Sequence, residues 1–297
     1  MEYGYCFWYE DGEMSSVPSQ VKRLGLDYGE VSLTYPWPDM IPRSEMPITK
    51  RMLEKLGVRF AFHCPLEGLF LFNPRKEIAD AAVNIHVKCL KFAAELDPLY
   101  YTFHIKADPM TLRIEGKDVG LQRCLNGLDK LVESAQELNI RLVVENSSGT
   151  AYLVPIRDLL RRELDFNLDI GHWFKGGRGY DELNHLMKDI GDRVVLLHLH
   201  DTKYQDTPAE DHLPLGQGDI DFARVFKILK GSGIQWINLE TISSEQDVLP
   251  ENLSKARKLA SIMQDIKGCI PLRRVTIEEW KEVVVRRAKR SVGPIVR

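Results

Sequence analysis

Runs of β-branched and aromatic residues recur along the chain, and each is followed by a longer segment whose apolar positions return every three or four residues. The strand-like runs are Tyr3 to Trp8, Tyr28 to Leu33, Val58 to His63, Leu99 to His104, Ile140 to Glu145, Asp165 to Asp169, Val194 to His200 and Gln235 to Glu240. Helical periodicity covers Val17 to Leu24, Thr49 to Leu56, Lys76 to Leu96, Val119 to Leu138, Leu153 to Glu163, Tyr180 to Ile190, Asp221 to Lys230 and Glu251 to Ile266. Strand and helix thus alternate eight times, with crossovers long enough to join parallel neighbours. The pattern predicts a closed (β/α)8 TIM barrel over residues 1–266, with an open doubly wound sheet as the alternative.

Punctuation agrees with that register. Gly57 and Gly191 stand where helices close before a strand, Ser147, Ser148 and Gly149 follow the fifth strand, and Asp219 is placed to cap the seventh helix. Turns from helix to strand are short. Connections from strand to helix are long at Pro36 to Ile48, Cys64 to Arg75 and Thr202 to Asp219, on the side where barrels carry their binding loops. Beyond the eighth helix, residues 267–297 have no place in a closed barrel. Within them Ile277, Trp280, Val284 and Ala288 recur at helical spacing, with Glu in front and Arg behind. This predicts a basic C-terminal helical extension that covers the barrel wall or joins subunits of a homo-oligomer.

At 297 residues and 44% hydrophobic content the chain can bury a large single core. A net charge of −3 gives no general basic field for nucleic acid or anionic membrane, although the tail from Lys267 onward holds nine Lys or Arg against three Glu. Five cysteines without paired spacing read as reduced thiols. The acidic start, MEYGYCFWYEDGE, and the lack of a membrane-length apolar run predict a cytoplasmic protein that does not engage a membrane.

Six of the eight histidines fall at or just beyond strand ends: His63, His104, His172, His198, His200 and His212. Glu145, Asp169 and Glu240 close strands as well. A charge at the end of a buried strand is costly unless it meets a partner, and one cation satisfies several such groups together. Glu145, Asp169, His198 and Glu240 come from four consecutive strand ends and would converge near the barrel axis. Three carboxylates and an imidazole suit Zn, Mn or Co better than Mg. His63, His104, His172 and His212 would surround that centre as further ligands or as substrate contacts. His198 and His200 face the same way on a strand, so either can touch the metal. His198 is assigned to the metal and His200 to substrate or support. Lys203, after the seventh strand, is a candidate contact for a phosphate or carboxylate of the substrate. The glycine-rich run from Asp211 to Asp221 lacks the Lys-Ser/Thr of a phosphate loop and reads as a shaped turn.

These residues resemble the xylose isomerase-like barrel superfamily, which includes sugar isomerases and epimerases and the endonuclease IV type of apurinic endonuclease. The resemblance runs from Tyr3 to about Ile266 and is carried by ENSSG at Glu145, LDIGH at Asp169, HLHD at His198, HLPLGQGDIDF at His212 and NLE at Glu240. It implies a divalent metal held by Glu145, Asp169, His198 and Glu240, the two glutamates acting as acid and base, and His172 on the substrate. The endonuclease branch implies up to three zinc ions, with His63, His104, His172 and His212 as added ligands. There an aspartate stands two residues before the last histidine, where this chain has Glu210. The strand-exit loops carry Arg43, Arg75, Lys106, Lys175, Arg178 and Lys203 amid seven acidic residues, a balance that suits a small sugar or polyol rather than DNA. The expected activity is therefore metal-dependent isomerisation or epimerisation of a sugar or sugar phosphate through an enediolate. The alternative is zinc-dependent phosphodiester hydrolysis at abasic sites.

Overall fold

The computed structural model describes residues 1–8, 11–66, 68–107, 110–111, 117–147, 152–203, 210–241 and 248–264. The expected helix at 276–290, and the tail that carries it, lie outside the described residues. No helix among the described residues is long and apolar enough to cross a membrane.

Eight parallel strands close on themselves in sequence order: β1 (Glu2–Phe7), β2 (Tyr28–Ser32), β3 (Arg59–His63), β4 (Tyr101–His104), β5 (Leu142–Glu145), β6 (Asp165–Asp169), β7 (Val194–Leu199) and β8 (Trp236–Leu239). β1 pairs with β8, so the sheet has no free edge. Helices α1 (Val17–Arg23), α2 (Glu45–Leu56), α3 (Lys76–Ala94), α4 (Lys117–Glu137), α5 (Ile156–Leu159), α6 (Ile170–Lys175), α7 (Tyr180–Ile190), α8 (Phe222–Ile228) and α9 (Leu249–Gln264) occupy the connections. The strands are buried on both faces, which explains their near-continuous apolar runs.

The period of two along each strand sorts residues into a core beneath the helices and a separate core inside the barrel. Tyr28, Ala61, Tyr100, Val143, Val195, Leu196 and Trp236 form the inner cluster. Gly4 makes room for it, because a Cβ there would fall inside the Tyr28 ring. Moving up the same faces, polar side chains replace apolar ones: Glu30, His63, Thr102, His104, Glu145, Asp169, His198 and Asn238 are all buried. Strand register levels their ends, with His104 opposite Glu145 and Asp169 opposite His198.

Three local features differ from the sequence expectation. The fifth helix is one turn, Ile156–Leu159, because Pro155 disfavours helical backbone before it and the chain turns again after Leu160. The segment after β6 is helix α6 rather than a loop, with Asp169 as its N-cap accepting from the His172 amide at 2.7 Å. The helix after β7 is capped by Asp221, which accepts from the Arg224 amide, while the Asp219 amide bonds to the Thr202 carbonyl.

Candidate metal centre

Glu145, Asp169, His198 and Glu240 stand at the ends of β5 to β8, each at most 3% exposed, with one ligand atom apiece all within 4.8 Å of one another. His198 Nδ1 lies 3.0 Å from Glu240 Oε2 and 3.5 Å from Glu145 Oε1. Asp169 is fixed from behind by Asn146, whose side chain donates to the Asp169 carbonyl at 2.9 Å and accepts from its amide at 2.8 Å. Asn146 thus pins the neighbouring strand end, beside the Glu145 that its own strand supplies.

His63 adds a third edge. Its Nδ1 lies 2.8 Å from the Cys64 carbonyl, which can only accept, so Nδ1 carries hydrogen and Nε2 is the nitrogen that faces Glu145 Oε2, at 3.5 Å. His63, Glu145 and His198 form a second potential ligand group. His104 sits on the other side of Glu145, its Nε2 3.7 Å from Oε1.

A further group lies beside Asp169 and consists of His172, His200, Asp211 and His212. His172 Nδ1 and His200 Nε2 each lie 3.1 Å from an Asp169 oxygen, so this carboxylate borders both groups. The His200 and His212 rings stack at 4.1 Å between centroids. His212 has φ of +54°, an unusual backbone for a residue with a Cβ and one held here by its surroundings. Lys175 Nζ is 2.6 Å from Asp211 Oδ2.

The donors suit a cation. Buried atoms with no hydrogen-bonded partner among the described residues include His63 Nε2, Glu145 Oε1, Asp169 Oδ2, His172 Nδ1 and His200 Nε2, all at this mouth. Carboxylate oxygens and imidazole nitrogens left facing one another can hold a divalent metal ion. Electrostatics divide the groups. Burial alone would raise the Glu145 carboxyl, but the imidazoles around it, with His198 and His63 in direct contact, overcome it and hold it well below the usual range. Glu240 moves the other way: burial raises it, and the charges of Glu145 and Asp169 add to burial against the pull of His198. Burial holds the imidazole of His104 down to about 3. Burial with the neighbouring His200 and His172 does the same to His212. These two are therefore neutral, the form that ligates metal.

Two sequence-assigned residues sit elsewhere. Lys203 and Glu210 are paired with each other at 2.9 Å at the loop surface, and it is the adjacent Asp211 that joins the histidines. Two acids in or beside these groups carry no strand-end signal in the sequence. Asp211 stands beside Glu210 and is half-buried, and Glu30 lies mid-strand in β2, fully buried and away from the strand ends. An acid in a strand buried along its whole length is itself a signal, because it demands a partner. On the β1–β2 side a cavity of about 330 Å³ is lined by residues including Phe7, Trp8, Ser32, Tyr35 and Ile41, and the Trp8 ring lies 6.4 Å from that of His63.

Comparison with known proteins agrees with this architecture. A crystal structure of a D-tagatose 3-epimerase-like protein superposes with a TM-score of 0.74 at 19% identity, covering 89% of this chain and 99% of that one. D-psicose 3-epimerase from Clostridium cellulolyticum H10 gives a TM-score of 0.68 at 13% identity, covering 90% of this chain and all of that one. In sequence, a probable endonuclease 4 of Petrotoga mobilis is 25% identical over 169 residues, half of this chain and 58% of that protein. The family model described as xylose isomerase-like TIM barrel matches residues 18–265, and the chain belongs to that family.

Proposed function

We propose that the protein is a divalent-metal-dependent sugar isomerase or epimerase. The observation that carries this is the convergence of Glu145, Asp169, His198 and Glu240 from four consecutive strand ends to within 4.8 Å. These four residues would hold the ion. When bound, it supplies a Lewis acid that polarises the carbonyl and hydroxyl oxygens of the substrate. Glu145 and Glu240 approach the same point from β5 and from the end of β8, so one removes the proton next to the carbonyl and the other returns it, through an enediolate. His172 and His63 border the two sides of this point and would bind substrate hydroxyls, with His200 supporting Asp169. The cavity lined by Trp8, whose ring is 6.4 Å from that of His63, is of a size that admits a small molecule.

A sugar substrate is also supported by the state of three of the six cations on the strand-exit loops. Lys175 is bound to Asp211, Lys203 to Glu210, and Lys106 donates to the Leu66 carbonyl at 2.8 Å. Cations committed to internal partners are poorly placed to neutralise a phosphate backbone. Titrating the protein with Mn or Co and assaying C3 epimerisation of ketohexoses tests the proposal. Turnover that chelator abolishes and metal restores is the expected result. Glu240→Gln should lose turnover by at least about 10²-fold, the usual worth of an acid or base, while still binding metal more weakly. Retained turnover in that variant would remove Glu240 from its role.

The second ligand group, His172, His200, Asp211 and His212, favours one other reading, because a second ion beside the first is the arrangement that hydrolyses phosphodiesters. Incubation with an abasic duplex oligonucleotide separates the two: chelator-sensitive strand cleavage, with no epimerase turnover, would establish the nuclease.

A further inference from the structure

Glu30 lies in the middle of β2, opposite Cys6 of β1 and Ala61 of β3, with no exposure to solvent. A carboxylate in that position is sustained only by the groups around it. The Tyr100 hydroxyl donates to Oε2 at 2.7 Å, the Asn238 side-chain amide donates to Oε1 at 3.1 Å, and His198 Nε2 lies 3.2 Å from Oε2. The Tyr28 hydroxyl stands 3.2 Å from that of Tyr100. A connected polar column therefore rises through the barrel interior from Tyr28 to Tyr100, Glu30 and His198, where it reaches Glu240 at the mouth.

His198 is the one member with a face on each side. Its Nε2 points inward at Glu30, and its Nδ1 points outward at Glu240 and Glu145, the two glutamates placed at the metal. An acceptor on the inner side requires that Nε2 carry hydrogen. With that proton held on the inner side, Nδ1 is the nitrogen left to face the carboxylates of Glu240 and Glu145, and a cation that displaced its proton would satisfy all three groups. We propose that Glu30 is a positioning residue for the metal centre: it fixes the tautomer and ring orientation of His198 and adds negative charge behind it, so that Nδ1 faces the ion. The proposal rests on the metal reading above. Carboxylates that hold the far nitrogen of a ligating histidine are worth about 10- to 100-fold in metal affinity.

The test is Co(II) binding to metal-stripped full-length protein, measured by chelator competition, with the site identified as the one lost in Glu240→Ala. Glu30→Gln keeps the shape and removes the charge, and should bind Co(II) about 10- to 100-fold more weakly while retaining the wild-type far-UV circular dichroism. Glu30→Asp keeps the charge but withdraws the oxygens from His198, and is expected to weaken binding as well. It also serves if the glutamine variant does not fold. Equal Co(II) affinity in folded wild type and Glu30→Gln, with only the melting temperature of the metal-free protein lowered, would assign Glu30 to the fold and overturn the proposal while the metal centre stands. Failure of both variants to fold would do the same. If wild-type protein binds no Co(II) that Glu240→Ala loses, the metal reading itself is overturned.

Discussion

Gly171 shows how closely the second ligand group is packed. It is the second residue of α6, and a Cβ at this position would lie 1.9 Å from His200 Cε1 and 2.2 Å from its Nδ1. Gly171→Ala must therefore push His200 away from Asp169 and off its stacking with His212. Overpacking of this kind costs about 1–3 kcal/mol, which urea denaturation of the metal-free protein will read as a lower midpoint. An unchanged midpoint would mean that His200 moves freely and does not support Asp169. At this scale the sequence was informative where chemistry coincides with a strand end: Glu145, Asp169, His198 and Glu240 are brought together as their positions implied. It was silent where chemistry depends on a partner far along the chain. Nothing in YGEVS announces that Glu30 meets Tyr100, His198 and Asn238, and nothing in AEDH separates Glu210, turned toward Lys203, from Asp211, turned toward the histidines.

Among the elements, the segment after β7 decides the second ligand group. Asp201 is buried at its root and accepts from the amides of Thr202 at 2.9 Å, Gly216 at 2.8 Å and Ile220 at 3.3 Å. Its own backbone pairs with Leu213 in both directions, and Gly218 passes so close that a side chain there would strike it. The carboxylate thus gathers the two ends of the excursion that carries Asp211 and His212. Asp201→Ala leaves three amides without their acceptor, each worth about 1–3 kcal/mol if buried. It should lower stability and weaken metal binding at His172, His200, Asp211 and His212 while sparing Glu145, His198 and Glu240. Equal loss at both groups, by Co(II) titration, would contradict this division. The strands were legible to within about two residues because burial on both faces leaves a continuous apolar run. The helices were less so where caps override periodicity: Asp169 begins α6 with no intervening loop, and Pro155 delays α5.

For the molecule as a whole, the barrel fold makes a buried histidine away from the metal centre a liability in acid. His86 of α3 lies against Tyr101 and Phe103, outside the strands, with Nδ1 3.0 Å from the Tyr101 hydroxyl. Burial, aided by the charges of His63 and Lys106, holds its imidazole down to about 3. In the unfolded chain it titrates near about 6.5. Above that pH both states are neutral and the residue adds no pH dependence. Below it the unfolded chain takes a proton that the folded protein refuses, so stability falls by up to about 1.4 kcal/mol per pH unit until about pH 3. His86→Phe should remove this slope, so that the variant gains on the wild type steadily between pH 6.5 and pH 4 in urea denaturation. A difference independent of pH would show that His86 accepts its proton in place.

The central claim is that barrel closure gathers acid and imidazole groups from distant parts of the chain around one cation. Anomalous diffraction from crystals grown with Mn or Zn measures this directly. The account predicts a peak bonded by Glu145, Asp169, His198 and Glu240 together. Ordered side chains at these four positions, with full metal in the crystal and no peak among them, would contradict it.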